Sequence, residues 1–352
     1  MGILTSIFVL SFLIFFHELG HFLAARFFGV KVEVFSIGFG SKIFKKIYKG
    51  TEYCISAIPL GGYVQMKGQD DSDPTKVSLD SDSYNTKKPW QRIIILFAGP
   101  FANFLLAFLL YLAIAQIGIN TLSPIIGSVA ENTPAFTKGL QANDKILIIN
   151  DQEVKSWDDV SFFIKNSQGS VVFIIQRAKK NLQVVVQPEL KIQKSMFGED
   201  ISNRIVGITA SGNSFVQTYG FFKSFGFAYD KTLEATTVIV TSLQKLIEGV
   251  IPAKDLGGIV SIVQVTSQAS EAGIVALFAL TALISVNLGV LNLLPIPALD
   301  GGHIMFNIYE IIAKKSPSEK MLYRMTVTGW IFLLSLMVFT VFNDIFRIMG
   351  DL

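Results

Sequence analysis

Two of the three histidines of the chain lie four residues apart, in the motif His17-Glu18-Leu19-Gly20-His21. Residues four apart lie on one face of an α-helix, so both imidazoles can bind a single Zn²⁺ ion. Glu18 directly follows the first histidine, where its carboxylate can act as a general base. The motif therefore predicts a metal site in which His17 and His21 are ligands and Glu18 is the catalytic base.

The motif lies inside an apolar run, residues 2–25, that contains no other charged group. A charged group at the centre of a membrane-spanning helix costs at least about 2.5 kcal/mol, so such groups are expected to be functional. The alternative is a pair of satisfied polar residues in a buried helix, because a motif match by itself carries a false-positive risk. The placement within an apolar span favours the metal site, and the same spacing forms the zinc site of metalloproteases.

The composition indicates a membrane protein. Of the 352 residues, 51% are hydrophobic and 16% are charged, whereas about 25% are charged in an ordinary soluble domain. The net charge is only +3 and no basic run is interleaved with aromatic residues, so nucleic acid is not expected as a partner. The single cysteine, Cys54, excludes an intramolecular disulfide and a cysteine-based zinc finger or haem motif.

Four apolar stretches are long enough to cross ~30 Å of hydrocarbon, which takes about 20 helical residues. They are residues 2–25, 93–119, 272–299 and 325–343. The first has no basic start and no convincing cleavage site, so we expect a retained helix rather than a signal peptide. Lysine and arginine are concentrated in residues 26–92 and 314–324, which places these loops in the cytoplasm. The N-terminus, the C-terminus and residues 120–271 then lie on the non-cytoplasmic side.

Residues 122–190 alternate β-rich runs with one short helical stretch, which predicts a small α+β domain. The runs are residues 125–129, 145–149, 171–176 and 182–186, and the helical stretch is 157–165. The phrase Pro134-Ala135 followed by Gly139-Leu140-Gln141-Ala142-Asn143-Asp144-Lys145-Ile146 resembles a PDZ domain. Asn143 stands where a turn with positive φ usually has glycine. A PDZ domain binds an extended peptide or substrate tail by strand addition, here at residues 125–129; the alternative is a small β-rich spacer.

These features divide the chain into four sections. Residues 1–119 hold the first two spans with the zinc motif and a cytoplasmic hairpin and loop, residues 120–190 the PDZ-like domain, residues 191–270 a linker and an amphipathic helix, and residues 271–352 the last two spans. The helix, at residues 231–248, is expected on the membrane surface or, alternatively, in core packing against the soluble unit. The acidic, serine-rich residues 70–82 are expected to form a flexible cytoplasmic loop.

A catalytic zinc site commonly has three protein ligands, so a third ligand must come from elsewhere. The third span ends in Pro295-Ile296-Pro297, followed by Asp300 and two glycines, which are expected to free the backbone around the carboxylate. The first and third spans both run inward, and His17 lies about 22 Å along a core about 30 Å thick, so both spans bring their polar groups close to the cytoplasmic face. Asp300 is therefore the candidate ligand, and the alternative is a loop carboxylate that merely follows a helix.

The order of motifs along the chain resembles the site-2 protease family of intramembrane zinc metalloproteases, in the bacterial branch that includes the regulator of sigma-E protease. The matching elements are the first histidine motif, Gly38-Phe39-Gly40, Lys88-Pro89-Trp90-Gln91-Arg92 with Gly99-Pro100-Phe101-Ala102-Asn103, the PDZ-like insert and Asn292 through Gly302. They cover nearly the whole chain. The resemblance implies a multi-pass α-helical membrane protein of four transmembrane helices, with an inserted membrane-associated β-hairpin and a small α+β PDZ-like domain.

The resemblance also assigns roles to individual residues. It implies that His17, His21 and Asp300 bind Zn²⁺ and that Glu18 is the catalytic base. Asn292, Pro295 and Pro297 would border the substrate channel, and Gly38, Phe39 and Gly40 would belong to the hairpin that holds the unwound substrate strand. Asn287 and Asn103 match further polar positions, and His303 is expected to support the site without binding the metal, since a fourth side chain would close the water position.

The chain departs from the family in two places: it has one PDZ-like unit where many relatives have two, and Ile259 and Ser261 stand where proline and glycine are usual.

The activity that the resemblance implies is hydrolysis of peptide bonds in or near the transmembrane segments of single-span membrane proteins, such as a trimmed anti-sigma factor or remnant signal peptides. The expected location is the bacterial inner membrane, with the active site towards the cytoplasm. The alternatives are a membrane zinc carrier or sensor and a catalytically silent PDZ scaffold.

Overall fold

The computed structural model describes residues 2–69, 78–195 and 197–350. Its helices are α1 (Gly2–Phe27), α2 (Pro89–Ile117), α3 (Pro134–Thr137), α4 (Trp157–Lys165), α5 (Phe221–Ile247), α6 (Ile259–Ala272), α7 (Ile274–Asn292), α8 (Asp300–Ala313) and α9 (Glu319–Gly350). Its strands are β1 (Val32–Tyr48), β2 (Thr51–Met66), β3 (Ile119–Leu122), β4 (Ile126–Val129), β5 (Lys145–Ile149), β6 (Gln152–Glu153), β7 (Val171–Arg177), β8 (Lys180–Val186), β9 (Glu189–Lys194), β10 (Asp200–Ile205), β11 (Ile208–Ala210) and β12 (Ser214–Gln217). The chain forms two compact units, Met1–Ile114 with Phe221–Leu352, and Ala115–Gly220.

Four helices of the described residues, α1, α2, α7 and α9, are long and apolar enough to cross a membrane. They correspond to the four predicted spans, which identifies an integral membrane protein. The third helix ends at Asn292, seven residues before the predicted end at residue 299. Pro295 and Pro297 explain this difference, because proline lacks the backbone N–H and disfavours helical conformation in the preceding residue.

The hairpin of β1 and β2 folds back on itself, so four segments lie side by side. Residues 32–37 pair with residues 62–66 on one side and with residues 52–55 on the other, while residues 42–48 pair with residues 51–56. Gly38 and Gly40, with φ of 91° and 84°, mark the interruption of β1. Residues 62–66, called the edge segment below, have no second strand partner among the described residues.

Helix α5 begins ten residues before the predicted helix at residues 231–248. Its Ala235, Ile239 and Leu243 pack against a cluster from α2 and α7 that includes Ala107 and Val286. One face of the helix therefore packs against α2 and α7, whereas the core-packing alternative expected the soluble unit as its partner. Of the loop predicted at residues 70–82, residues 70–77 lie outside the described residues.

A remote carboxylate caps the start of α6. Asp344 of α9 is 2% exposed and accepts hydrogen bonds from the N–H groups of Gly258 (3.0 Å), Val260 (3.0 Å) and Ser261 (3.1 Å). These are the first N–H groups of the helix, which have no partner within the helix itself. The departure from the usual proline and glycine at Ile259 and Ser261 thus coincides with a polar link between α6 and α9.

The second unit, residues 115–220, has a four-stranded sheet in the order β6-β5-β7-β8. The strands and the helix predicted for residues 122–190 are all present, with shifts of at most two residues at their ends. Asn143 has φ of 71°, the left-handed conformation that the PDZ-like phrase requires. Asp144 is fully buried, where it accepts two hydrogen bonds of 2.7 Å from the Arg177 guanidinium, and this carboxylate raises the pKa of Arg177.

The second unit extends beyond residue 190, because β4 pairs with β11 and β3 pairs with β12. On its other side, β4 exchanges backbone hydrogen bonds at Ile126 with Asn143 and Asp144. Within the edge at residues 125–129 that we expected to receive a peptide, Ile125 and Ile126 are therefore already paired inside the unit. The unit has the expected α+β composition, while its PDZ identity stays a prediction.

Candidate active site

Three side chains from two distant parts of the chain converge at one point. The Nε2 atoms of His17 and His21 are 3.1 Å apart, and Asp300 Oδ2 lies 3.3 Å from the first and 3.4 Å from the second. A tetrahedral zinc ion with ligands at about 2.0–2.1 Å requires ligand separations of about 3.3 Å. Asp300 Oδ2 is buried and has no hydrogen-bond partner among the described residues. Both the donor set and the spacing of these atoms therefore fit Zn²⁺.

His21 is fixed by α2. Its Nδ1 donates a hydrogen bond of 2.9 Å to the carbonyl oxygen of Ile95, which leaves the lone pair of Nε2 directed at the site. A Cβ atom added at Gly99 would lie 2.2 Å from this Nε2, and one added at Gly20 would lie 2.1 Å from the carbonyl oxygen of Ala98. The two glycines thus allow α1 and α2 to approach closely enough to seat the ring.

Asn103 of α2 performs the corresponding role for His17. Its side-chain Nδ2 lies 3.2 Å from His17 Nδ1, while its Oδ1 is buried without a partner. Turning the planar amide by 180° lets Oδ1 accept a hydrogen bond from the Nδ1–H group of His17. The residue is fully buried, and its carbonyl oxygen accepts a hydrogen bond of 2.7 Å from Ser285 of α7. Asn103 therefore contacts the ring of His17, the first candidate ligand.

Asp300 is the first residue of α8 and follows the proline-containing loop, residues 293–299. This loop wraps around the first turn of α8, so that a Cβ added at Gly301 would lie 2.3 Å from the Leu294 carbonyl oxygen. A Cβ added at Gly302 would lie 2.3 Å from the Ile296 carbonyl oxygen. Neither glycine has a positive φ. The two glycines are thus required for close approach rather than for backbone freedom, which corrects the interpretation from the sequence.

The three candidate ligands and Glu18 line a cavity of about 810 Å³. Its other walls are contributed by α2, the edge segment, the end of α7, residues 298–299 and α9. Glu18 lies against the edge segment, since a Cβ at Gly62 would be 3.4 Å from Glu18 Cγ. The carboxylate predicted to be the base is therefore next to both the candidate ligands and an unpaired strand edge.

The other predicted residues are only partly gathered at this cavity. Phe39, Asn103, Asn292 and His303 line it, whereas Gly38, Gly40, Asn287, Pro295 and Pro297 are not among its lining residues. Phe39 stacks on Tyr63 of the edge segment at 6.1 Å between ring centroids. The glycines and prolines instead shape the interruption of β1 and the loop before Asp300.

Sequence reasoning missed the edge segment itself and two residues of α9, Thr326 and Trp330, all of which line the cavity. The pair Gly61-Gly62 was the available signal for the edge segment, since glycine within a strand indicates close approach of another group. Nothing in the sequence near Thr326 distinguishes it from the other polar residues of an apolar span.

Comparison with known proteins agrees with this geometry. The profile of peptidase family M50 matches residues 5–336. A Campylobacter jejuni protein named "Putative zinc metalloprotease Cj1068" is 46% identical, over 99% of this chain and 94% of its own length. A Helicobacter pylori protein with the name "Putative zinc metalloprotease" is 40% identical, over 98% of this chain and 99% of its own length. An Agrobacterium fabrum protein, "Putative zinc metalloprotease Atu1380", is 33% identical, over 99% of this chain and 96% of its own length. The names of these relatives indicate zinc as the cofactor. The family expected from the motifs is confirmed: the chain belongs to peptidase family M50, the site-2 protease family.

Proposed function

We propose that this protein is an intramembrane zinc metalloprotease that hydrolyses peptide bonds in or near the transmembrane segments of single-span membrane proteins. The observation that carries the proposal is the convergence of His17, His21 and Asp300 beside Glu18, in a cavity walled by apolar helices. An ionisable cluster in such a setting is expensive and is expected to be functional. The family and the names of the relatives support the metalloprotease class.

The chemistry follows from the donor set. His17, His21 and Asp300 would hold Zn²⁺ and leave its fourth position to water. When bound, the ion supplies a Lewis acid that lowers the pKa of water towards about 7 and polarises the substrate carbonyl. Glu18 accepts the proton of the attacking water and later delivers a proton to the leaving amine. Asn103 keeps the His17 ring in the orientation that this chemistry needs.

The substrate must be unwound before it can react, because the carbonyl groups of a helix are engaged in internal hydrogen bonds. The edge segment beside Glu18 offers N–H and C=O groups that a freed strand can pair with. This assigns strand pairing to residues 62–66 of β2 rather than to Gly38–Gly40. Phe39, which stacks on Tyr63, would then contact a substrate side chain.

The bacterial relatives support a location in the bacterial inner membrane. The lysine distribution supports an orientation with the active site and the β1–β2 hairpin towards the cytoplasm and both termini and residues 120–271 on the other side. The far end of the hairpin exposes Ile43, Phe44 and Ile47 among Lys42, Lys45 and Lys46. Such a mixture of apolar and basic groups suits the interface of an anionic bilayer. The physiological substrate would be a trimmed anti-sigma factor or remnant signal peptides, with residues 115–220 engaging an extended tail.

Glu18 distinguishes the protease from a zinc carrier or sensor and from a silent scaffold, since neither needs a carboxylate beside the first ligand. We expect Glu18→Gln to retain bound zinc and to abolish cleavage of a single-span substrate in proteoliposomes. The control is Glu319→Gln, the same change at an exposed position in the first turn of α9, which should leave both unchanged. Cleavage at the wild-type rate by Glu18→Gln would refute the proposal. In cells, the same variant should accumulate single-span fragments in the membrane proteome.

A further inference from the structure

Thr326 of α9 has a buried hydroxyl that nothing in the described part of the protein satisfies. The residue is only 3% exposed, and its Oγ1 has no hydrogen-bond partner among the described residues. Other threonines of the same helix use their hydroxyl on the helix backbone: Thr328 donates to the Arg324 carbonyl at 2.8 Å and Thr340 to the Met337 carbonyl at 3.0 Å. The Thr326 hydroxyl is therefore available for an external partner.

The position of Thr326 is set by close packing of α9 on the loop before Asp300. A Cβ added at Gly329 would lie 2.7 Å from the Ala298 nitrogen and 3.3 Å from the Pro297 carbonyl carbon. This contact brings Thr326 and, one turn later, Trp330 into the lining of the catalytic cavity. Thr326 and Trp330 therefore line the cavity from α9, whereas the edge segment lines it from β2.

A substrate strand needs hydrogen bonds along both of its edges. If one edge pairs with residues 62–66, the N–H and C=O groups of the other edge still need partners, because unpaired backbone groups are unfavourable at membrane depth. A hydroxyl can serve either group, since it both donates and accepts. A hydroxyl without a hydrogen-bond partner among the described residues, in a residue that lines the cavity, meets this requirement.

We propose that Thr326 Oγ1 binds the backbone of the substrate strand on the edge turned away from β2. This rests on the proposed function and deepens it: the substrate is gripped between the edge segment and α9. The residue is a substrate-binding group with no role in holding the metal. It acts on the peptide backbone and not on a particular side chain, so its contribution is the same for substrates of different sequence.

The test compares Thr326→Val, which keeps the shape and removes the hydroxyl, with Thr326→Ser and with the control Thr328→Val. Cleavage of a reconstituted single-span substrate is measured together with zinc content and thermal unfolding in detergent. We expect Thr326→Val to lower kcat/KM about threefold to tenfold, the range of one hydrogen bond, and chiefly through KM. Thr326→Ser and Thr328→Val should cleave at close to the wild-type rate, and all variants should bind zinc fully.

Thermal unfolding supplies an independent check. Because the hydroxyl has no partner in the described part of the protein, replacing it by a methyl group should leave the substrate-free protein equally or more stable. A clear loss of stability in Thr326→Val would show an internal role and overturn the inference, as would kcat/KM equal to that of Thr328→Val. Failure of the wild-type protein to cleave any single-span substrate would instead refute the proposed function itself.

Discussion

Gly99→Ala should destroy the metal site without changing any ligand. The added Cβ would lie 2.2 Å from His21 Nε2 and 2.5 Å from its Cε1, whereas ordinary contact begins at 3.4 Å. The ring must therefore move by about 1 Å, five times the tolerance of about 0.2 Å on zinc–ligand distances. It cannot turn freely, because its Nδ1 is bonded to the Ile95 carbonyl oxygen at 2.9 Å.

We expect zinc affinity to fall by a factor of about 10 to 100, the range seen when groups that orient a ligand are altered. The assay is competition with a zinc-buffering chelator, on protein purified in detergent, with circular dichroism to verify helix content. The matched control is Gly226→Ala in α5, where nothing lies within 4 Å of the added Cβ. That variant should bind zinc normally and gain about 0.5–1 kcal/mol of stability, because alanine is the better helix former.

Wild-type zinc affinity in Gly99→Ala would refute the reasoning. It would mean either that α1 and α2 separate easily or that the His21 ring does not contribute Nε2 to the metal. Full zinc binding together with lost cleavage would also contradict it, since the geometric argument predicts loss of the ion first.

Two further predictions concern the third ligand and the cap of α6. Asp300→Ala should leave the purified protein with substoichiometric zinc, because two imidazoles are a weaker site than two imidazoles and a carboxylate; full occupancy by metal analysis would remove Asp300 from the site. Asp344→Ala should lower the free energy of unfolding by about 2 kcal/mol, because it removes a helix cap whose N–H donors become buried without partners. Thermal unfolding measures this loss. The control is Asp230→Asn, at an exposed position of α5, which should change the free energy of unfolding by less than about 0.5 kcal/mol. Equal unfolding midpoints for the two variants would refute the role of Asp344 as a cap.

Local patterns predicted the parts of the site that depend on local geometry. The four-residue spacing of His17 and His21 places both rings on one face of α1, because the helix repeats every 3.6 residues. The length of the apolar runs located α1, α2, α7 and α9, and the majority of the predicted helix ends were correct to within a few residues. Asp300 could be selected because two prolines before it had to end the third span, and the order of motifs indicated the family.

Contacts between distant residues were beyond such reasoning. The fold-back of β1 and β2, which creates the edge segment, depends on pairing across bulges that no strand pattern encodes. The shift of the third span's end, the pairing of β4 with β11 and the packing of α5 were likewise decided by tertiary partners.

The sequence by itself predicted the chemistry of this protein, namely which side chains could bind a metal, and it determined that the chain is an integral membrane protein. Only the tertiary structure decided what surrounds them. Gly99 and Gly302 leave no room for a side chain because of the atoms packed against them, and the Thr326 hydroxyl has no partner among the described residues. Packing and hydrogen-bond satisfaction are properties of the whole assembled neighbourhood, so a linear pattern of residue types cannot specify them.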